Sequence, residues 1–331
     1  MNKLMYAIEE LQNFVNAEIS RRTAKLDNSL PSGLYVPVSY SLGVGGKRLR
    51  PVMLLTSYNL FSEDIEKALP AALAIEVFHN FTLLHDDIMD KAEVRRNKPT
   101  VHMKYGENAA ILSGDAMAFL AYRFLTESPS GRFSEVIDLF TATALEVCEG
   151  QQLDMDFETR SEVPEGEYLE MIRLKTAVLL GCSLKSGALL ADANNDVSDL
   201  LYQFGINLGL AFQIQDDWLD VFGTRQSFGK IIGGDILAGK KTWLLVKAFE
   251  NADSIQKNKL EILLQDKHLK AEEKINAVVD IYHQIGIKEL AEEKIKFYFN
   301  DAAAILQVLP VVTERKEQLY ALSKSMLGRN F

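Results

Sequence analysis

Apolar residues recur along the chain at three- and four-residue intervals almost everywhere, the period of helices that bury one face. Leu69 to Met89 is representative, with Leu73, Val77, Leu84 and Ile88 among its apolar positions. Strand-like alternation is scarce. Pro31, Pro51, Pro70, Pro99, Pro129, Pro164 and Pro310 fall mostly where the periodicity breaks, as helix boundaries require. SPSGR (128–132), VPEGE (163–167) and DANND (192–196) read as short connections. No Gly/Ser linker, internal repeat or low-complexity tract interrupts the pattern. It predicts an all-α fold, a single large multi-helix bundle forming one domain over residues 1–331.

Two helices break the amphipathic rule in the same way. FHNFTLLHDDIMD (78–90) ends in Asp86, Asp87 and Asp90, and LGLAFQIQDDWLD (208–220) ends in Asp216, Asp217 and Asp220. At 3.6 residues per turn, Asp86 converges with Asp90 and Asp216 with Asp220, and Gln213 joins the second stripe. Like charges at this spacing destabilise a helix, and carboxylates in an apolar segment cost more unless neutralised. A single cluster of this kind is most simply a solvated, acid-capped helix face. Two copies, each closing an apolar helix, point to a paired metal site. A di-iron bundle is built on Glu and His and zinc on Cys or His, whereas these ligands are aspartates. Magnesium takes one or two carboxylates completed by water and substrate phosphate oxygens, and it fits best.

Cations follow both clusters. Arg95, Arg96 and Lys98 lie in KAEVRRNKPT (91–100), read as a loop; Lys230, Lys240 and Lys241 lie in FGKIIGGDILAGKKT (228–242). Lys47, Arg48 and Arg50 stand behind two glycines in GGKRLRP (45–51), and Lys175-Thr176 sits within apolar MIRLKTAVLLGC. Glycine lets backbone approach an anion, and arginine pairs with phosphate through parallel hydrogen bonds. Taken with the acids, these groups predict a Mg²⁺-bridged phosphate. A helix-lined apolar interior beside it predicts an amphiphile with an anionic head and a hydrocarbon tail. No GxxxxGK[ST] loop or GxSxG elbow is present.

Composition refines this picture. The chain has 331 residues, 47% apolar and 25% charged, enough to bury a large core and to exclude disorder. Thirty-six basic against 46 acidic residues leave a net charge of −10, which argues against nucleic-acid binding. It does not argue against a phosphorylated ligand, because six of those acids are the clustered aspartates themselves. Cys148 and Cys182 belong to no metal or disulfide pattern and read as buried small hydrophobes in a reducing compartment. Glu9 and Glu10 interrupt what a signal peptide would keep apolar, and no window spans a membrane, so a cytoplasmic location is expected.

The ordered set GGKRLRP, DDIMD with RRNKPT, GQQLD (150–154), Lys175-Thr176 and FQIQDDWLD followed by GKKT resembles the trans-isoprenyl diphosphate synthases, the polyprenyl synthetase family. The likeness runs over roughly residues 40–245. It implies an isoprenoid-synthase-type bundle around a central cavity, usually a homodimer. It also implies condensation of isopentenyl diphosphate with an allylic diphosphate (dimethylallyl, geranyl or farnesyl), with three Mg²⁺ ions. By position Asp86, Asp90 and Asp216 would ligate metal, with Asp87 and Asp220 in support, Asp220 counted with the metal residues. Asp86, Asp87, Asp90, Lys175, Asp216, Asp217 and Lys230 would form the catalytic set. Arg95, Lys175, Thr176, Gln213, Lys230 and Lys240 would contact the allylic substrate; Lys47, Arg50, His79 and Arg96 would hold isopentenyl diphosphate.

In such enzymes residues upstream of the first motif floor the tail cavity. Here these are Phe78, Phe81 and Thr82, and a lone aromatic five before Asp86 resembles the C20-forming archaeal type. Geranylgeranyl diphosphate is therefore the expected product, with farnesyl diphosphate second and plain core packing as the alternative role for Phe81. A terpene cyclase shares the fold, but its second metal motif differs from DDWLD. A silent subunit of a heteromeric synthase typically loses an aspartate motif, and this chain keeps all six acids.

Overall fold

The computed structural model describes residues 5–223, 233–266 and 268–327. The helices are α1 (Ile8–Leu26), α2 (Ser32–Gly43), α3 (Leu49–Asn59), α4 (Leu69–Met89), α5 (Val101–Tyr105), α6 (Glu107–Leu125), α7 (Phe133–Thr159), α8 (Glu165–Ile172), α9 (Val178–Leu190) and α10 (Asn195–Phe222). They continue with α11 (Gly234–Ala238), α12 (Trp243–Asn251), α13 (Ser254–Gln265), α14 (Ala271–Ile285), α15 (Ile287–Val308) and α16 (Thr313–Leu327). The all-α class is as expected. Among the described residues the only strands are β1 (Val94–Arg95) and β2 (Lys98–Pro99), paired antiparallel. The segment expected as a loop is thus a hairpin. Arg96 and Asn97, at φ 51° and 61°, make its two-residue turn, the left-handed pair whose twist matches the flanking strands.

Contacts divide the chain into two compact units. The first comprises Met1–Phe140, Cys182–Tyr202 and Leu309–Leu322. Its core helix is α3, buried at every position from Pro51 to Asn59, where the Ser57 hydroxyl donates to Leu184 O at 2.6 Å. Pro51 and Pro70 sit in the first turns of α3 and α4, where a missing N–H costs nothing. Pro37, in contrast, lies inside α2. α4 packs chiefly on α6 and α3, burying Leu73, Ile75, Val77, Phe78 and Leu84. Its C-terminal turn carries the first aspartates.

The second unit comprises Thr141–Gly181, Gln203–Val308 and Ser323–Phe331. Here α10 crosses the segment 173–177 at backbone contact. A Cβ on Gly209 would lie 2.5 Å from the Ala177 Cα, so only glycine allows that approach. The contact brings Gln213, one turn further along α10, within reach of Thr176. Arg173–Ala177 forms a π-helical turn between α8 and α9, a wide turn that recurs at functional sites. Cys182 is buried as expected, but Cys148 is exposed on α7, because its side of that helix faces outward. No described helix is long and apolar enough to cross a membrane.

Candidate functional site

In the first unit Asp86, Asp87 and Asp90 occupy the end of α4, where the helix's negative pole adds to their own charge. They do not point alike. Asp87 is buried, while Asp86 is partly and Asp90 well exposed. The hairpin returns Arg95 onto Asp87: Nε lies 2.8 and 2.9 Å from the two carboxylate oxygens, and Nη2 lies 3.5 Å from Asp86 Oδ2. Burial pushes the Asp87 carboxyl above its ordinary range, and Arg95 opposes that rise. Asp87 is thus held by a cation of the same site.

The GGKRLRP segment splits by role. Arg48 takes a left-handed conformation (φ 50°) at the N-cap of α3, which turns its side chain inward. There it meets Glu76 at 2.5 Å, both side chains almost fully buried, and donates to Leu42 O and Asn16 Oδ1. Arg48 is therefore a structural ion-pair partner, which corrects its reading as an anion-binding cation. Lys47 is exposed. Arg50 Nη1 stands 3.1 Å from His79 Nε2. Burial, then the charges of Arg50, Arg96, Arg95 and Arg48, hold the His79 ring well below its usual pKa. The glycines also serve a cation: Gly45 O accepts from Arg96, and a Cβ on Gly46 would strike that guanidinium at 2.6 Å.

Upstream on α4, Phe78 and Phe81 lie 5.5 Å apart, Phe81 lies 4.9 Å from the His85 ring, and Phe78 lies 5.3 Å from Phe140. Phe78 is buried and Phe81 only partly so. Thr82 Oγ1 donates to His79 O at 2.8 Å, which keeps its hydroxyl on the helix.

In the second unit Lys175 Nζ pairs with Asp154 Oδ2 at 2.5 Å. A Cβ on Gly150 would meet the Lys175 backbone N at 2.3 Å. This accounts for the GQQLD spacing: glycine admits the π turn, and one helical turn later aspartate receives its lysine. Thr176 Oγ1 donates to Gln213 Oε1 at 3.1 Å, and Gln213 Nε2 lies 3.4 Å from Asp217 Oδ1. Asp217 is buried and accepts at Oδ2 from Tyr168 OH (2.5 Å) and from the Trp243 backbone N (2.8 Å). Burial raises its pKa to about 7. Asp220, also buried, accepts at Oδ2 from Asp235 N at 3.0 Å, while Asp216 is partly exposed.

Lys240 belongs to the turn leading into α12, its N–H bonded to Asp235 O at 3.0 Å. Its neighbour Lys241 instead lines a pocket of about 240 Å³ with Val163, Pro164, Leu245 and Phe249. Lys230 lies outside the described residues. Tyr168 and the Trp243 N–H are what sequence reasoning missed. The one available signal was a tyrosine two helical turns before Lys175.

Among the described residues no three Asp, Glu, His or Cys side chains form a ready-made metal cage. The donors of both clusters are aspartate oxygens, which suit Mg²⁺, a hard cation bound through a few carboxylates plus water and phosphate oxygens. Zn²⁺, which takes chiefly Cys and His ligands, fits these carboxylates poorly.

The sequence pattern of the polyprenyl synthetase family matches residues 31–282. Over 253 residues the chain is 42% identical to the geranylgeranyl diphosphate synthase of Methanosarcina mazei, covering 75% of this chain and 77% of that one. It is 39% identical over 304 residues to the geranylgeranyl pyrophosphate synthase of Geoglobus acetivorans, covering 91% and 92%. A crystal structure of a geranylgeranyl pyrophosphate synthase superposes with a TM-score of 0.93 at 43% identity, covering 99% of this chain and 100% of that one.

Proposed function

The chain belongs to the polyprenyl synthetase family and is a prenyltransferase, and we propose that it condenses isopentenyl diphosphate with an allylic diphosphate to give geranylgeranyl diphosphate. The observation that carries this reading is the pair of DDxxD helix ends, each with arginine or lysine beside it, inside a family match running through both units. That continuous match also supports residues 1–331 acting as one catalytic domain.

The family is Mg²⁺-dependent, and we assign Asp86, Asp90, Asp216 and Asp220 as the carboxylates that would hold the metal, with three ions expected from the family resemblance. When bound, Mg²⁺ supplies positive charge that neutralises the departing pyrophosphate. Arg95, Lys175 and Lys240 add fixed cations to the allylic diphosphate, with Lys230 expected to join them. Thr176 and Gln213 orient that group by hydrogen bonding. Asp87 and Asp217 act through the groups they hold, since Arg95 and the Tyr168–Trp243 donors occupy their oxygens.

Lys47, Arg50, His79 and Arg96 hold the isopentenyl diphosphate. Ionisation of the allylic C–O bond releases pyrophosphate and leaves a carbocation; the isopentenyl double bond attacks it, and the proton then lost passes to the released pyrophosphate. Phe81 and Phe78 keep the surroundings of the tail apolar, so water does not quench that cation. Fixed charges and positioning carry the rate, with no covalent enzyme intermediate.

A homodimer is supported by α6, where Ile111, Leu112 and Phe119 are 39%, 60% and 75% exposed, an apolar surface suited to a second copy. Sedimentation of the purified protein as a single-chain species would remove that element. The reaction is tested by supplying farnesyl diphosphate with and without isopentenyl diphosphate. Elongation only when both are present supports the synthase, whereas a hydrocarbon formed from farnesyl diphosphate alone would make the chain a cyclase.

A further inference from the structure

Asp217 sits in the middle of the second acid cluster, yet its carboxylate is turned away from its neighbours. Oδ2 receives two hydrogen bonds, from Tyr168 OH at 2.5 Å and from the backbone N of Trp243 at 2.8 Å. Tyr168 and Asp217 are 2% and 4% exposed, so neither bond competes with bulk water. Trp243 is the first residue of α12, directly after Lys240, Lys241 and the N-cap Thr242. The far end of the same network runs from Asp217 Oδ1 to Gln213 and on to Thr176, beside Lys175. One buried carboxylate thus ties together the α10 acids, the Lys175 turn and the Lys240 turn.

α8 fixes this arrangement at two points. Tyr168 grips Asp217, and one turn earlier Glu165 Oε1 accepts from the Trp243 indole N–H at 3.1 Å. Glu165 is itself held by Lys247 at 3.0 Å and Lys294 at 3.1 Å. The indole and the peptide N–H of one residue are therefore both bound to the α8–Asp217 assembly. That leaves the turn entering α12 little freedom to rotate.

We propose that Tyr168 is a positioning residue of the reaction: through Asp217 it sets the Trp243 N–H, and with it the Lys240 ammonium, at the diphosphate-binding end of α10. It touches no substrate. The proposal rests on the synthase reading for the identity of the diphosphate, while the link from Tyr168 to Trp243 stands on the hydrogen bonds, and the backbone bond from Thr242 N to Lys240 O carries it along the turn. A bond between a neutral donor and a carboxylate in a dry site is among the stronger ones. Its loss should register as about a tenfold weakening of anion binding.

The test compares the full-length protein with Tyr168→Phe, which keeps the ring and removes only the hydroxyl. Inorganic pyrophosphate with Mg²⁺ is titrated by calorimetry, and KM is measured for each substrate. The expected result is about tenfold weaker pyrophosphate binding and a similarly raised KM for the allylic diphosphate. KM for isopentenyl diphosphate should stay within twofold and the melting temperature should be nearly unchanged. In an Asp217→Ala background, adding Tyr168→Phe should cause no further loss, because both act through one link. Unchanged pyrophosphate binding, an equal rise in both KM values, or independent losses in the double variant would overturn the proposal and leave Tyr168 as packing. If the wild-type protein binds pyrophosphate but elongates no substrate, the synthase reading fails, and the Tyr168 comparison still decides the positioning role.

Discussion

Arg50 Nη1 stands 3.1 Å from His79 Nε2, and a guanidinium can only donate, so His79 accepts at Nε2 and carries its proton on Nδ1. Burial and the surrounding arginines depress its pKa, so the ring stays neutral where a free histidine would titrate. KM for isopentenyl diphosphate should therefore show no histidine limb between about pH 6 and 8. His79→Gln, which keeps an acceptor, should cost less than His79→Leu. The sign for stability follows: the unfolded chain takes up a proton below about pH 6.5 that the fold refuses. This contribution is full above that pH and is lost as pH falls. A KM that rises steeply around pH 6.5 would show that His79 acts as a cation.

Arg48 and Glu76 form a pair sealed from water. Removing one partner strands the other charge, so Arg48→Ala should cost about 3–5 kcal/mol. Replacing both, as Arg48→Met with Glu76→Leu, should restore most of it. Chemical denaturation measures both. A small loss for Arg48→Ala would mean that the pair is solvated.

Mg²⁺ and diphosphate should bind together. The acids of both clusters are partly committed to Arg95, Tyr168, Trp243 N and Asp235 N, and no three-ligand cage exists among the described residues. Calorimetry should find weak Mg²⁺ binding alone and much tighter binding once pyrophosphate is present. Chelation should abolish activity while leaving the melting temperature unchanged. Micromolar binding of Mg²⁺ alone would contradict this.

Phe81, partly exposed where Phe78 is buried, packs between Phe78 and His85, five residues before Asp86. Phe81→Ala should shift the products toward longer chains, and Phe81→Ala with Phe78→Ala should shift them further, because Phe78 lies directly behind. An unchanged distribution would remove Phe81 from the ruler.

Much of this was readable from residue order. Helical periodicity gave the all-α class, and i,i+4 spacing singled out both aspartate clusters. What spacing cannot reveal is the direction of the middle acid. Asp87 and Asp217 are each one residue, about 100°, round the helix from a neighbour that faces outward. What buries them arrives from elsewhere in the chain: a hairpin in one case, Tyr168 and a backbone N–H in the other. Arg48 and Arg50 look alike in GGKRLRP, and only the left-handed backbone at Arg48 sends one into the core. The π turn at Lys175 was equally invisible, because its cause is the close approach of α7 at Gly150.

The most direct measurement is incubation of the purified protein with Mg²⁺, isopentenyl diphosphate and dimethylallyl, geranyl or farnesyl diphosphate in turn, followed by separation of products by chain length. Elongation ending at the C20 diphosphate from each starter is the predicted result. No elongation from any of the three would contradict the proposed reaction, and a product ending at C15 would contradict the assigned chain length.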